Sequence, residues 1–286
     1  MSYINSPMNY SGSKFKLLEQ ILPLFDYNKD YFIDIFCGGG SVYSNILDKY
    51  KKVLINDVIG DLIEIHKNLC NNPQLFIESV KELAKTKENQ QLYLDLRNSY
   101  NIEKISEKRA SMLFSLMLSC TNNSIRFNHN GKFNQSWGRR EWNDSTEKKV
   151  NEFVNNLSKY QNKIYYSSVH FRKMKIVKSS MIYLDPPYGY SIDENSNITN
   201  KQVSEAGYNS FWYKKDDIEL YDYILELDKN KHSFMISGVL EHDGKKSWLI
   251  NKLINDKFNY KELDFNYNGV SRKGDKKTIE MIIMNY

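Results

Sequence analysis

Met181-Ile182-Tyr183-Leu184-Asp185-Pro186-Pro187-Tyr188 is the stretch that decides how this chain is read. Its first four residues are a short apolar run of the kind that forms a buried strand. The next four make a rigid strand end. Each proline fixes its own φ and lacks an N–H, and the residue before a proline is held extended. Open α/β sheets bind ligands at the carboxyl ends of their strands. There the Asp185 carboxylate and the Pro186 carbonyl can both accept hydrogen from one amino group. Tyr188 offers a flat face to the ring that carries it. Asp185, Pro186, Pro187 and Tyr188 are therefore candidate catalytic residues for chemistry on the exocyclic amine of a base. The same four residues are also ordinary loop punctuation, so the reading needs a second motif.

That motif lies near the start. Tyr31 to Ile35 reads as a strand and runs into Phe36-Cys37-Gly38-Gly39-Gly40. Glycines after the first strand of an α/β sheet let backbone approach a nucleotide closely. Their spacing is not the dinucleotide fingerprint, which disfavours a nicotinamide cofactor. Val53-Leu54-Ile55-Asn56-Asp57 is a second strand ending in an acid. Asp57 follows the glycines by about 20 residues, where an acid can bond ribose hydroxyls. A tight turn and a helix N-cap are the plain alternatives, and a helical pattern does open at Ile59-Gly60-Asp61.

Composition sets outer bounds. The 286 residues suffice for one large domain or two unequal ones, and the net charge of +5 suits a polyanionic partner. Basic groups cluster at Arg172, Lys173, Lys175 and Lys178, and again at Arg272, Lys273, Lys276 and Lys277. The cysteines Cys37, Cys70 and Cys120 form no pairing pattern, which predicts reduced thiols in a cytosolic protein. No apolar stretch approaches a membrane span of about 18 residues, and no signal peptide is visible. The five histidines show no metal-ligand spacing, so no metal is expected.

Helical faces follow the second strand: Leu62, Ile65, His66 and Leu69, then Leu75, Phe76, Ser79, Val80 and Leu83. Arg109 to Leu118 reads as a mostly buried helix. Residues 121–146 are polar and glycine-punctuated, with Phe127, Phe133, Trp137 and Trp142 set among basic residues. Strand signals return at Ile164-Tyr165-Tyr166, Met181 to Leu184, Phe234-Met235-Ile236 and Thr278 to Met284. Helices between strands make the sheet mainly parallel. One α/β domain, residues 1–58 and 147–286, is thus split by a mainly helical insertion over 59–146.

The chain resembles the Dam-type DNA adenine-N6 methyltransferases, the T-even phage enzymes most of all. Asn9-Tyr10-Ser11-Gly12-Ser13-Lys14, Phe36 to Gly40, Ile55-Asn56-Asp57, Asn123 with Ile125-Arg126, Gly138-Arg139-Arg140, Ser168-Val169-His170-Phe171 and Asp185 to Tyr188 carry the resemblance. Cofactor motif, insertion and catalytic motif come in the order of the alpha class of amino-methyltransferases. The resemblance implies a Rossmann-like S-adenosylmethionine-dependent sheet with a late antiparallel strand, for which Thr278 to Met284 is the candidate. It implies cofactor contacts from Tyr10, Lys14, Phe36, Cys37, Gly38, Gly39, Gly40, Asp57, Ser168, Phe171 and Asp185. It also implies a DNA-recognition domain with a reading hairpin. Asn122, Asn123, Arg126, Asn128, Ser136, Arg139 and Arg140 are the expected DNA contacts, and Arg140 stands where the family reads the outer guanine of GATC. Thr121, Ser124 and Ser136 depart from the family pattern, which leaves the inner bases of the site and the wedge that fills the flipped base's gap open.

The expected reaction is methyl transfer to N6 of a flipped adenine in duplex DNA within GATC or a related short site. Asp185 would stabilise the developing ammonium charge, and Tyr188 would stack on the adenine. Tyr208, Phe211 and Trp212 are candidates to close over the site. A restriction endonuclease acting on the same site is a possible partner, and the cytoplasm of a bacterial or phage-infected cell is the expected location. Methylation of RNA and a DNA-binding module without activity stay open on the sequence alone.

Overall fold

The apolar runs form strands, in a computed structural model that describes residues 3–8, 10, 12–188, 212–242, 245–264 and 278–286. The strands are β1 (Tyr31–Asp34), β2 (Lys52–Asn56), β3 (Ile164–Ser167), β4 (Ser180–Leu184), β5 (Ser233–His242), β6 (Lys245–Lys246), β7 (Asn259–Leu263) and β8 (Thr278–Met284). The helices are α1 (Leu18–Ile21), α2 (Gly60–Asn71), α3 (Pro73–Leu83), α4 (Gln90–Ile102), α5 (Ser106–Ser119), α6 (Asp144–Ser158), α7 (Lys214–Lys229) and α8 (Trp248–Asn255). Tyr208, Phe211 and the basic cluster that starts at Arg272 lie outside the described residues. So do Asn9 and Ser11.

The described residues form two units. One draws on the described residues within 1–15 and 37–170, the other on those within 16–36, 171–206 and 210–286. In the second, the strands run β1-β4-β5-β8-β7, with β6 on β5. The pairs β1–β4 and β4–β5 are parallel. β8 lies antiparallel to both β5 and β7, so the late antiparallel strand is Thr278–Met284. All five residues of β4 are buried, as a strand covered on both faces requires. Leu184 stands opposite Ile236, and that register sets what lies beside Asp185.

In the first unit β2 and β3 pair in parallel, and α5 packs against α2, α3 and α4. Nine of its residues are buried, Ala110, Leu113, Phe114 and Met117 among them. Its buried Ser115 hydroxyl is satisfied by the Ser111 carbonyl at 2.8 Å. The buried face of α3 is Phe76 and Val80, and Ala84 just past its end continues the stripe at i, i+4, i+8. Leu75 and Ser79, expected on that face, are instead exposed, because each lies one residue off that stripe.

The first turns of α2 and α5 are tied together. Arg109 binds Asp61 with two N–H groups, Nε to Oδ1 at 3.2 Å and Nη2 to Oδ2 at 2.7 Å. The Tyr100 hydroxyl donates to the same Oδ2 at 2.6 Å. Arg109 Nη1 reaches the carbonyls of Tyr100 and Glu103, and its guanidinium lies 4.3 Å from the centre of the Tyr100 ring. Only a planar fork makes these contacts at once. Arg109→Lys is expected to destabilise the protein by about 1–2 kcal/mol in urea unfolding, through loss of the bidentate pair and the stacked face. An unchanged midpoint would show that the pair is dispensable.

Candidate functional site

The glycine turn is built around one carboxylate. Asp57 directly follows β2. Its Oδ2 accepts from Gly38 N at 3.1 Å and its Oδ1 from Ile59 N at 2.9 Å. It therefore fixes the turn and caps the approach to α2 together. Burial raises its pKa to about 6, and the two N–H groups oppose that rise. Gly38 and Gly40 have φ of +46° and +82°, a region that glycine enters at little cost. Tyr10 lies against the turn so closely that a Cβ on Gly39 would sit 2.6 Å from its own Cβ. Ser6 Oγ donates to the Gly39 carbonyl at 2.5 Å. Lys14 is buried and donates to the Gly12 carbonyl at 3.0 Å.

Beneath the turn sits His66, fully buried in α2. Its Nε2 meets the Gly38 carbonyl at 2.8 Å, and its Nδ1 meets the Tyr43 hydroxyl at 2.9 Å. A carbonyl only accepts, so Nε2 carries the proton and Nδ1 accepts from Tyr43. The Asn56 side chain bonds both the N–H and the carbonyl of Val169 at 3.0 Å. That contact ties the Ser168-Val169 segment to the end of β2. A Cβ on Gly60 would meet the Ser168 hydroxyl at 3.3 Å.

Asp185, Pro186, Pro187 and Tyr188 lie in the other unit. Pro186 is buried, and Asp185, Pro187 and Tyr188 are half-buried. Asp185 Oδ1 accepts from Ser237 Oγ at 2.8 Å and from the Tyr188 hydroxyl at 3.3 Å. The Tyr188 hydroxyl also lies 3.5 Å from Oε2 of Glu280, a buried carboxylate on β8. Phe171 is buried among aromatic rings, with centroids 5.8 Å from Phe36, 6.2 Å from Trp212 and 5.5 Å from Tyr223. Trp212 Nε1 donates to Asp217 Oδ1 at 2.7 Å, while Asp217 Oδ2 is buried without a hydrogen-bond partner among the described residues. Burial pushes the Asp217 pKa up to about 7.

Residues 120–138 fold back on themselves in the first unit. Bridges join Cys120 to Trp137 and Phe127 to Phe133. Asn128 makes the tip, its Oδ1 accepting from the N–H groups of Asn130 and Lys132 at 3.0 Å. Arg126 reaches across to Asn134, Nε to Oδ1 at 2.9 Å and Nη2 to the carbonyl at 2.8 Å. Ser136 Oγ donates to Thr121 Oγ1 at 3.1 Å. A Cβ on Gly138 would stand 2.4 Å from the Cys120 carbonyl oxygen, so the two strands cross too closely for any other residue. Asn101 of α4 clamps both backbone groups of Phe133, and the Phe127 and Phe133 rings pack on Tyr100. Asn122 and Arg139 have positive φ. Both are exposed, as is Arg140, and the Arg139 guanidinium lies 5.2 Å from the Trp137 ring centre.

A family model described as D12 class N6 adenine-specific DNA methyltransferase matches residues 10–268. The chain belongs to that family. Its mixed α/β fold is of the kind that S-adenosylmethionine-dependent methyltransferases use. The chain is 32% identical to the modification methylase StsI of Streptococcus sanguinis over 99% of its own length and 43% of that protein's. It is 29% identical to the type II methyltransferase M.FokI of Planomicrobium okeanokoites over its full length and 43% of that protein's. The chain thus spans less than half the length of these two relatives. Similarity to the DNA adenine methylase of Salmonella typhi, 27% identical, covers 63% of this chain and 64% of that one.

In this D12 class member the glycine turn follows β1 and the Asp185 segment follows β4. Sequence reading placed His66 on a helical face without its polar partners, and it missed Ser237, Glu280 and Asp217. Ser237 lies 52 positions from Asp185, and only strand register reveals the pairing. His66 carries a readable signal of its own, a histidine on the apolar face of α2.

Burial lowers the His66 pKa from 6.5 to about 4. The unfolded chain binds this proton below pH 6.5, whereas the folded chain stays neutral until about 4. The histidine's contribution is therefore intact above 6.5 and lost as pH falls toward 4, at about 1.4 kcal/mol per pH unit. Asp57 and Asp217 act in the opposite sense, so the comparison has to isolate His66. The stability gap between wild type and His66→Leu, measured by urea unfolding, is expected to narrow by about 3 kcal/mol between pH 7 and pH 4. A gap independent of pH would mean that His66 titrates normally in the fold.

Proposed function

We propose that this chain transfers a methyl group from S-adenosylmethionine to N6 of an adenine in duplex DNA. The observation that carries the proposal is Asp185, whose Oδ1 is gripped by Ser237 and Tyr188 at the carboxyl end of β4. The residues also fit the cofactor. Tyr10 leaves no room for side chains at Gly38 and Gly39, so backbone is what a nucleoside would meet there. Each Asp57 oxygen already takes one N–H and retains a second lone pair for a ribose hydroxyl. Tyr10, Lys14, Phe36, Cys37, Gly38, Gly39, Gly40, Asp57, Ser168, Phe171 and Asp185 are the residues we assign to the cofactor. When bound, it supplies an electrophilic methyl group on a sulfonium.

Everything else falls to the protein. Adenine N6 lies inside the duplex, so the base must be flipped out. Its lone pair is conjugated with the ring and attacks poorly. The Asp185 carboxylate and the Pro186 carbonyl accept hydrogen from N6 and draw it toward tetrahedral geometry. Asp185 then stabilises the positive charge that develops on nitrogen, by preorganised electrostatics rather than by removing a proton beforehand. Tyr188 stacks on the adenine, with its hydroxyl holding Asp185.

Residues 59–146 form the DNA-recognition insertion in this account, and 1–58 with 147–286 the catalytic domain. Asn122, Asn123, Arg126, Asn128, Ser136, Arg139 and Arg140 form the DNA-contacting set. Arg126 and Asn128 spend groups on holding the hairpin. Guanine reading is assigned to Arg140 by the resemblance to the Dam-type enzymes. Loss of a bidentate guanine contact costs about 1–3 kcal/mol of discrimination. GATC is the leading site, from the Dam-type resemblance. The type II modification enzymes among the relatives support a partner endonuclease acting on the same site in the cytoplasm.

Asp185→Ala is expected to abolish methyl transfer from labelled S-adenosylmethionine while equilibrium binding of the cofactor persists. Retention of a tenth or more of the activity would remove Asp185 from the chemistry.

A further inference from the structure

The chain of hydroxyls behind Asp185 has a single possible direction. Asp185 Oδ1 is a carboxylate oxygen and can only accept, so Ser237 spends its one proton on it, at 2.8 Å. Tyr183 OH lies 2.9 Å from the same Ser237 oxygen and must therefore donate to it. The order is Tyr183 O–H to Ser237 O–H to Asp185. Both hydroxyl residues are almost fully buried, Ser237 at 0% and Tyr183 at 1% exposure. The Tyr183 ring is wedged edge-on against Phe25, 5.5 Å between centres, and stacked at 6.5 Å on Phe32. Strand pairing brings the three residues together, since Tyr183 faces Met235 and Leu184 faces Ile236 across β4 and β5.

We infer that Ser237 and Tyr183 are positioning residues for methyl transfer: they hold one Asp185 oxygen and thereby aim the carboxylate at the amine. The inference rests on the proposed role of Asp185 and adds residues that no part of the motif contains. Ser237 acts on Asp185 directly, and Tyr183 acts only through Ser237. Donors in a buried network polarise one another, so the terminal hydroxyl strengthens the bond that the serine makes. Tyr183 contributes nothing to the carboxylate once the serine oxygen is gone.

A double-mutant cycle tests this, with single-turnover methylation of duplex DNA and equilibrium binding of S-adenosylmethionine as readouts. Ser237→Ala is expected to lower the transfer rate roughly tenfold to a hundredfold, the usual scale for a hydrogen bond to a charged group. Cofactor affinity and KM for DNA should stay within about twofold, and Ser237→Thr should recover most of the rate. Tyr183→Phe keeps the ring packing and removes only the hydroxyl. It is expected to slow transfer about threefold to tenfold in the Ser237 background and to have no effect in the Ser237→Ala background. Equal effects of Tyr183→Phe in both backgrounds would overturn the relay. So would a Ser237→Ala rate within twofold of wild type. Should Ser237→Ala fail to fold, Tyr183→Phe alone decides: an unchanged rate overturns the inference. Failure of the underlying reading looks different, because then the wild-type protein itself would form no N6-methyladenine.

Discussion

Asp57 is the contact on which the glycine turn and the start of α2 depend. Its two oxygens hold Gly38 N–H on one side and Ile59 N–H on the other, so the glycine turn and the start of α2 are set by one side chain. Four residues on, Asp61 takes the Arg109 fork and the Tyr100 hydroxyl. Tyr100 in turn packs on Phe127 and Phe133 of the hairpin. Directed contacts thus hold the glycine turn to the start of α2, and others run from Asp61 of that helix to the hairpin. These contacts are charge-assisted or aromatic, which gives them a narrower range of allowed geometries than aliphatic packing has. His66 supports the turn from below by holding the Gly38 carbonyl.

The Asp185 carboxylate is built differently. Asp185 depends on partners from other strands, Ser237 of β5 and, through Tyr188, Glu280 of β8. Parallel register between β4 and β5 supplies the first and the antiparallel β8 the second. Late strands therefore do more than complete the sheet, since they carry the polar groups that surround the motif.

How much of this the sequence disclosed follows from the range of the interactions. β4 and the glycine turn were legible because apolar runs, prolines and glycines act on their own neighbours. Thr278–Met284 was legible as a strand for the same reason. The α3 face was misassigned at Leu75 and Ser79 because several apolar positions satisfied helical spacing and only packing against α5 selects among them. Strand β7, Asn-Tyr-Lys-Glu-Leu, has four of its five residues exposed and presents no apolar run to read. Ser237, Glu280 and Asp217 were hidden because their significance lies in partners rather than in their own segments. The Asp217 carboxylate is distinguished only by burial beside Trp212, which no local pattern announces.

The measurement that bears most directly on the central claim is single-base mapping of N6-methyladenine. Unmethylated genomic DNA would be treated with the purified protein and S-adenosylmethionine. The account predicts methyladenine confined to one short sequence, with GATC the first candidate, and its loss from that sequence when Asp185 is removed. Duplex DNA left unmethylated by a protein that binds the cofactor, with methyl transfer to RNA instead, would contradict it.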